Sequence, residues 1–251
     1  MRANIYNISV RQLEKALRGK KVLVFLDLEG TQFSHEMIEI GAYKVYLKDD
    51  FTVKKILKGF KCYVKPHARI GKVVTDLTGI TEEKLAKEGL PYRVVQQSFK
   101  KYVGKDWEKC LFVTFGSHDF RIIMQSAANN LDANEGQSKF VVHHGWDYAE
   151  WIAQFIRDQN GNNYSLSNYL KIFECPFEGR AHDALADARN LIDLYNAFLR
   201  RKDIVEREYE KRLALHNTHY PEPMRKVLDK LSHGQDVTAK EYDQYIKDYL
   251  K

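Results

Sequence analysis

The sequence predicts an α/β protein in which helices cover both faces of a mixed five-stranded sheet and a helical extension follows at the C-terminus. The run KVLVFLDLE (21–29) is continuously apolar until it ends in acids, which is typical of a strand buried at the centre of such a sheet. Three strand-like segments come first, a strand–helix–strand pattern follows, and helical periodicity then continues to about residue 202.

Five segments are predicted as strands, and the apolar run 21–29 is the first of them. The others are MIEIGAYKVYL (37–47), GFKCYVKP (59–66), CLFVTFG (110–116) and SKFVVHH (138–144). The lysine-rich stretch 49–58 is predicted as the connection between the second and third strands. The early part of the chain therefore resembles an antiparallel meander.

The helices are predicted from their end signals and their apolar periodicity. Thr81 is the N-cap of a helix that ends at Gly89, and the next helix begins at Pro91 and ends at Gly104. Ser117 starts a third helix in SHDFRIIMQSAANN. The remaining helical segments are WDYAEWIAQFI (146–156), SLSNYLKIF (165–173) and HDALADARNLIDLYNAFLRR (182–201).

The chain divides into three predicted sections: an N-terminal amphipathic helix or extension (1–20), the main α/β domain (21–202) and a C-terminal helical extension (203–251). Near residue 202 the apolar periodicity gives way to the charged stretch DIVEREYEKR, and HYPEP then breaks the chain. The last helix has a Thr238–Glu241 capping box and a stripe at helical spacing, which is expected to dock onto the parent domain. The stripe consists of Tyr242, Tyr245, Ile246 and Tyr249.

Composition restricts the class of protein. Apolar residues make up 44% of the 251 residues, enough for a substantial core, yet no run approaches the roughly 18 apolar residues of a membrane helix. The N-terminus lacks the apolar region of a signal peptide. The three cysteines are far apart, which argues for reduced thiols and against structural zinc. A cytoplasmic protein is expected.

The net charge of +6 is unevenly distributed along the chain. The segment from Lys44 to Lys72 holds nine basic and two acidic residues, a net charge of +7, so the rest of the chain sums to −1. Such a segment suggests a track for a polyanion. The alternative is a solvated hairpin whose lysines protect a sheet edge.

Four acids and one histidine are the candidate catalytic residues. Asp27 and Glu29 stand two apart at the end of the first strand, so both point to the same face. Asp119 follows the Ser117 cap, where an acid is also favoured by the helix dipole alone. The alternative for the first two is an ordinary strand end that reaches solvent.

His182 and Asp187 lie in AHDALADA, where small residues flank the polar ones. A histidine just ahead of a helix whose first turns carry Asp187 is free to accept a proton. The alternative is a surface histidine beside a capping aspartate. Four convergent carboxylates repel one another unless cations lie between them. Together these residues indicate a two-metal site that cleaves phosphodiesters, with His182 as proton acceptor.

These motifs, in this order, resemble those of the DEDDh 3′–5′ exonucleases of the DnaQ-like, RNase H-like group. The match runs over about 20–202: DxE is Asp27-Leu28-Glu29, the central acid is Asp119, and HxxxxD is His182 to Asp187. The pattern is more similar to the Eri1-like RNA-trimming branch than to polymerase proofreading subunits. Departures are Gly30, where many relatives have Thr or Ala, and His118, where Eri1-like members often carry Trp.

The resemblance implies a function and a cofactor. Two Mg²⁺ or Mn²⁺ ions would be held by Asp27, Glu29, Asp119 and Asp187, with His182 as proton acceptor. Nucleoside 5′-monophosphates would leave the single-stranded 3′ end of a nucleic acid, with RNA slightly favoured over DNA as the partner. The segment LTGIT (77–81) resembles the one that approaches the terminal nucleotide. The residues expected to hold the last base are Gly30, Thr31, Phe33, Met37 and Ile80; for Phe33 and Met37 the alternative is core packing.

Two other functions use the same fold. One is a non-catalytic nucleic-acid-binding or regulatory module that uses the Lys44–Lys72 segment and the tyrosine-rich tail. All five active-site residues are present, which counts against it. The other is a phosphodiesterase that acts on very short oligonucleotides through the same metal site.

Overall fold

The computed structural model describes residues 12–215 and 220–250. The predicted N-terminal helix is therefore described only from residue 12, and part of the HYPEP break lies outside the described residues. The strands are β1 (Val22–Gly30), β2 (Met37–Leu47), β3 (Val53–Ile56), β4 (Phe60–Tyr63), β5 (Cys110–Thr114) and β6 (Gly145–Asp147).

The helices of the main domain are α1 (12–17), α2 (Lys72–Thr78), α3 (Glu82–Glu88), α4 (Tyr92–Val103), α5 (His118–Asn129), α6 (Glu135–His143), α7 (Tyr148–Ile152), α8 (Leu166–Ile172) and α9 (Ala184–Arg200). A 3₁₀ helix covers Gly104–Lys109. The helices α10 (Lys202–Leu215), α11 (Glu222–Ser232) and α12 (Ala239–Tyr249) follow. The Thr81, Pro91 and Ser117 start signals each immediately precede an observed helix.

The strands form one mixed sheet with the order β3-β2-β1-β5-β6, and β4 also pairs with β2. β2 is antiparallel to β1, whereas β5 and β6 run parallel to the strands beside them. Alternate residues of β1 enter two apolar layers. Leu23 and Phe25 pack on the side of α9, and Val24 and Leu26 pack on the side of α4 and α5. The predicted mixed sheet with helices on both faces is confirmed.

Two strand assignments differ from the prediction, and the described sheet has six strands rather than five. SKFVVHH belongs to helix α6, because the Asn134 side chain caps that helix and Gln137, Ser138 and Val141 form its buried face. The final strand is the three-residue β6, which directly follows α6. The lysine-rich connection contains the short edge strand β3. The two exposed lysines of this strand interrupt its apolar pattern in the sequence.

The C-terminal region is helical from Lys202 onward. Ile204 and Val205 of α10 are buried in the layer that contains α9, so this charged stretch has a packed face. The predicted capping box at Thr238 and Glu241 is present at the start of α12. From the tyrosine stripe, Tyr242 contacts α11: its hydroxyl lies 3.3 Å from the sulfur of Met224. Among the described residues, no helix is long and apolar enough to cross a membrane.

Candidate active site

The five predicted catalytic residues line one cleft of about 490 Å³ at the carboxyl ends of β1 and β5. Two of them come from β1, one from the start of α5 and two from the segment that enters α9. Parallel strands place ligands at this edge of a sheet. The lining includes Asp27, Glu29, Asp119, His182 and Asp187.

Asp27 and Glu29 continue the face of β1 that carries Leu23 and Phe25, so they point toward α9. Burial raises the pKa of Asp27 well above its usual value, and the nearby carboxylates raise it further. Burial also raises the pKa of Glu29 to about 8, with a further contribution from Asp187. The protein alone therefore does not compensate the charged forms of these two acids, and each holds a proton more tightly than a solvent-exposed carboxyl group does.

Asp119 is buried in the first turn of α5 and is bonded directly to β1. Its Oδ1 accepts a hydrogen bond of 2.8 Å from the backbone N–H of Leu28, which lies between Asp27 and Glu29. Burial raises the pKa of Asp119 to about 7, although the hydrogen bond from Leu28 opposes this shift. The bond fixes the third acid beside the first two, a position that helix capping alone does not require.

His182 adopts a left-handed backbone conformation, with φ of 62°, immediately before α9. Asp183 caps that helix by accepting hydrogen bonds from the N–H groups of Leu185 and Ala186. The His182 N–H donates to Asp187 Oδ2 at 2.9 Å, and its Nδ1 lies 3.7 Å from Glu29 Oε1. Half of the imidazole side chain is exposed, so it reaches both the acids and solvent.

The donor groups fit a divalent cation. Ligand atoms of Glu29, His182 and Asp187 all lie within 4.8 Å of one another. Carboxylate oxygens are the ligands that Mg²⁺ and Mn²⁺ prefer. Burial raises the pKa of Asp187, as it does for the other three acids, which is the expected state of carboxylates whose counter-charge is a bound cation.

The raised pKa values predict how stability depends on pH. The folded protein holds protons on Glu29 (pKa about 8) and Asp119 (pKa about 7) that the unfolded chain releases at its ordinary values near 4.5 and 3.8. The free energy of unfolding of the metal-free protein should therefore fall as pH rises from about 4 to 8. Mg²⁺ should raise the melting temperature more at pH 8 than at pH 5.5, by a difference on the order of 5 °C. Differential scanning calorimetry with Mg²⁺ or EDTA tests this, and an equal Mg²⁺ effect at both pH values would contradict it.

A buried ion-pair network, which was not predicted from the sequence, holds the start of α9 against the sheet next to the site. Glu39 lies opposite Glu29 in the β1–β2 register, is 2% exposed, and accepts a hydrogen bond of 3.0 Å from the Ala184 N–H. Lys61 of β4 bonds Glu39 at 2.9 Å and Asp183 at 2.6 Å. Burial opposes the charge on Lys61, but these bonds raise its pKa above the usual value. The network attaches the first turn of α9 to β2 and β4.

Replacing Lys61 with methionine is expected to destabilise the protein by about 2–3 kcal/mol. The change leaves the Glu39 carboxylate buried without its cation; the value is at the low end for buried pairs because a quarter of the Lys61 side chain is exposed. Urea unfolding measures the loss. Lys61→Arg should restore most of the stability, and Lys139→Met, which breaks an exposed pair with Glu135, should cost less than about 1 kcal/mol. Equal losses for Lys61→Met and Lys139→Met would contradict the role of the network.

Of the five predicted base-binding residues, two line the cleft and three do not. Gly30 and Thr31 line the cleft. Phe33 is 81% exposed in the following loop and is not part of the lining. Met37 and Ile80 are buried in apolar clusters and do not line the cleft: Met37 faces α4 and α5 from the start of β2, and Ile80 packs with Ile38, Ile70 and Leu85.

Further residues line the cleft, among them His35, which was not predicted from the sequence. His35 and His118 meet edge to face with ring centroids 5.2 Å apart, and both line the cleft. Leu77, from the LTGIT segment, lines the cleft as well. Arg180 donates a hydrogen bond of 3.1 Å to the Leu77 carbonyl, so the wall formed by α2 is joined to the segment that carries His182.

Comparison with known proteins gives a family and a set of similar folds. A family model of exonucleases (RNase T) matches residues 24–195, about two-thirds of the chain. A search of curated proteins found no match.

Several solved structures share the fold at low sequence identity. A 3′-exonuclease that recognises the 3′ end of a histone mRNA stem-loop is 17% identical, with a TM-score of 0.54 over 72% of this chain and 82% of that chain. Cell-death related nuclease 4 is 19% identical, with a TM-score of 0.54 over 72% of this chain and 64% of that one. E. coli exonuclease I in complex with a dT13 oligonucleotide is 16% identical, with a TM-score of 0.56 over 78% of this chain and 44% of its own. This chain thus spans less than two-thirds of the last two proteins.

The family match covers the DxE, central Asp and HxxxxD motifs, and the fold brings all three to one cleft. The chain therefore belongs to the RNase T exonuclease family, in its DEDDh, DnaQ-like group.

Proposed function

We propose that this protein is a divalent-metal-dependent 3′–5′ exonuclease that releases nucleoside 5′-monophosphates from RNA or single-stranded DNA. The observation that carries the proposal is the convergence of four carboxylates and a half-exposed histidine in one cleft. The cleft volume of about 490 Å³ lies within the usual range for small-ligand sites and suits a strand end better than a duplex.

Each side chain has a distinct role in this proposal. Asp27, Glu29, Asp119 and Asp187 would hold two Mg²⁺ or Mn²⁺ ions, which supply Lewis-acid stabilisation of the phosphoryl oxygens when bound. His182 accepts the proton of the attacking water. Because its ring is exposed to solvent on one side, the imidazole can then pass that proton to bulk water.

Two parts of the chain keep the proton acceptor in place. The Asp187 carboxylate accepts the His182 N–H, so the left-handed turn at His182 is fixed to the same acid that lies beside Glu29. Gly30 and Thr31 present the end of β1 to the cleft, where the terminal nucleotide would lie. A Cβ at Gly30 would lie 2.9 Å from Ile122 Cδ1, so glycine allows close packing of this strand end on α5.

Degradation of matched 3′- and 5′-labelled 20-mers of RNA and DNA, with Mn²⁺, Mg²⁺ or EDTA, tests the proposal. The 3′ label should leave as a mononucleotide, the 5′-labelled strand should shorten stepwise, and EDTA should stop both. Release of a 5′-terminal mononucleotide or internal cutting would overturn the assigned polarity. A much higher rate on dinucleotides than on 20-mers would instead identify a phosphodiesterase for very short oligonucleotides. The RNA and DNA arms measure the sugar preference, which we propose to favour RNA.

The location and extent of the enzyme are also proposals. The three cysteines are free thiols, which supports a reducing compartment and hence the cytoplasm. We take residues 21–202 as the nuclease domain, since the family match falls inside that range.

A further inference from the structure

The basic segment Lys44–Lys72 is not one continuous surface. Lys44 is only 7% exposed and forms a buried ion pair of 3.2 Å with Asp106, and Lys61 belongs to the network beneath the active site. The remaining basic residues separate by their position on the sheet. Lys65, Arg69 and Lys72 follow β4, which pairs with the part of β2 that lies beside Glu29. Four lysines instead surround β3, which pairs with the opposite end of β2.

Lysines from two other parts of the chain join those around β3. Lys21 precedes β1, Lys109 precedes β5, and these strands start side by side with Val22 opposite Cys110. Lys20 lies next to Lys21, and the last turn of α4 and the 3₁₀ helix that ends at Lys109 add three more lysines. We call this surface the basic pole; it consists of Lys20, Lys21, Lys48, Lys54, Lys55, Lys58, Lys100, Lys101, Lys105 and Lys109.

Hydrogen bonds hold the segments of the basic pole together. Lys20 Nζ donates to the Glu108 carbonyl at 3.0 Å, and Lys21 Nζ donates to the Lys48 carbonyl at 3.3 Å. The Tyr102 hydroxyl, at the end of α4, donates to the Lys58 carbonyl at 2.9 Å. The three sequence-distant segments therefore form one fixed surface.

The basic pole carries the excess charge of the protein. The same segments contain three acids besides Asp106, which is paired with the buried Lys44: Asp49, Asp50 and Glu108. Ten lysines and these three acids give the basic pole a net charge of +7. The whole chain has a net charge of +6, so the remainder sums to −1. Asp27 lies five positions after Val22 on β1, which places the basic pole roughly 17 Å from the active site along the strand.

We propose that the basic pole is a second nucleic-acid-binding surface, which takes the sugar–phosphate backbone without regard to sequence and acts independently of the cleft. Lysine ammonium groups on flexible stems suit phosphate contacts that carry no base information. Among the described residues, no large exposed apolar side chain lies in the three segments that form the basic pole, although a membrane-binding surface would need such side chains. The surface therefore fits a polyanion that is recognised through its phosphate charges, without base-specific or apolar contacts.

A closed dumbbell duplex, which has no 3′ end, separates this surface from the active site. The pole variant changes four exposed lysines to glutamate: Lys54→Glu, Lys55→Glu, Lys101→Glu and Lys105→Glu. The control variant makes the same charge change elsewhere on the surface: Lys87→Glu, Lys171→Glu, Lys240→Glu and Lys247→Glu. At about 0.1 M salt the pole variant should bind the dumbbell at least tenfold more weakly than the control variant does. The slope of log Kd against log salt should fall by about 0.9 for each lysine that contacts a phosphate.

Two readouts keep the outcome interpretable. Hydrolysis of a dinucleotide should be the same in both variants and in the wild type. If the wild type releases no mononucleotide from the dinucleotide or from the 20-mers, the proposed function fails while the binding result still stands. Equal dumbbell affinity in the pole and control variants would overturn the proposal. The proposal would also be overturned if the pole variant kept its affinity for the dumbbell duplex but lost binding to phosphatidylserine vesicles. The double variant Lys54→Glu/Lys55→Glu should give an intermediate loss, which guards against an effect of misfolding.

Discussion

Replacement of Asp27 with asparagine is expected to lower nuclease activity by at least about 10³-fold while it makes the metal-free protein more stable. Activity should fall because Asp27 lies among Glu29, Asp119 and Asp187, where loss of one carboxylate would remove a ligand from the proposed metal site. Stability rises because burial and the neighbouring carboxylates oppose the charge on Asp27. An amide of nearly the same shape removes that charge. The gain should be about 2 kcal/mol at pH 8, or a few degrees in melting temperature.

The opposite signs of the two effects distinguish this prediction from simple misfolding. The measurements are the rate of mononucleotide release with Mn²⁺ and the melting temperature in EDTA. Asp193→Asn is a matched control, because burial also raises the pKa of Asp193, yet this acid lies on α9 outside the cleft beside Arg189. Its activity should remain near that of the wild type. An Asp27→Asn protein that is both inactive and less stable in EDTA would show that Asp27 serves the fold rather than the metal site.

The sequence indicated the fold well where a single kind of periodicity dominated. The buried run of β1, the capped helix α3 and the helix between Pro91 and Gly104 are all present within a residue or two of the predicted bounds. The prediction of a strand at SKFVVHH was wrong because a short apolar run fits either a strand or one buried face of a helix. Its helical state is decided by Asn134, which caps it from outside the segment.

The candidate site was predictable for a different reason. Acids at a strand end or a helix start are visible as local patterns, and although each pattern is weak alone, their occurrence together and in this order selected the five residues that the structure brings to one cleft. The Glu39–Lys61–Asp183 network could not be, because its members are brought together only by the β1–β2–β4 pairing and the start of α9. The Lys44–Asp106 pair likewise joins positions 62 residues apart, so the sequence overstated the exposed charge of the basic segment.

Gly41→Ala is expected to lower the free energy of unfolding by about 2–4 kcal/mol and to reduce activity by roughly 10²-fold. A Cβ at Gly41 would lie 2.2 Å from both the carbonyl carbon of Ala184 and the backbone nitrogen of Leu185. These are backbone atoms of the first turn of α9, so no side chain can rotate away, and the helix itself must move. That movement would displace Asp187 from Asp27, and a displacement of about 1 Å is enough to cost catalysis on this scale.

Gly136→Ala is the matched control for this substitution. Its Cβ would meet only Asn134 Oδ1, at an ordinary 3.4 Å, and its place in α6 favours alanine over glycine. This variant should be as stable as the wild type or slightly more stable, with unchanged activity. For Gly41→Ala, urea unfolding gives the stability and single-turnover degradation gives the rate. If the variant lost stability but kept its rate, α9 could shift without moving Asp187, and the contact between β2 and α9 would set stability alone rather than the geometry of the acids.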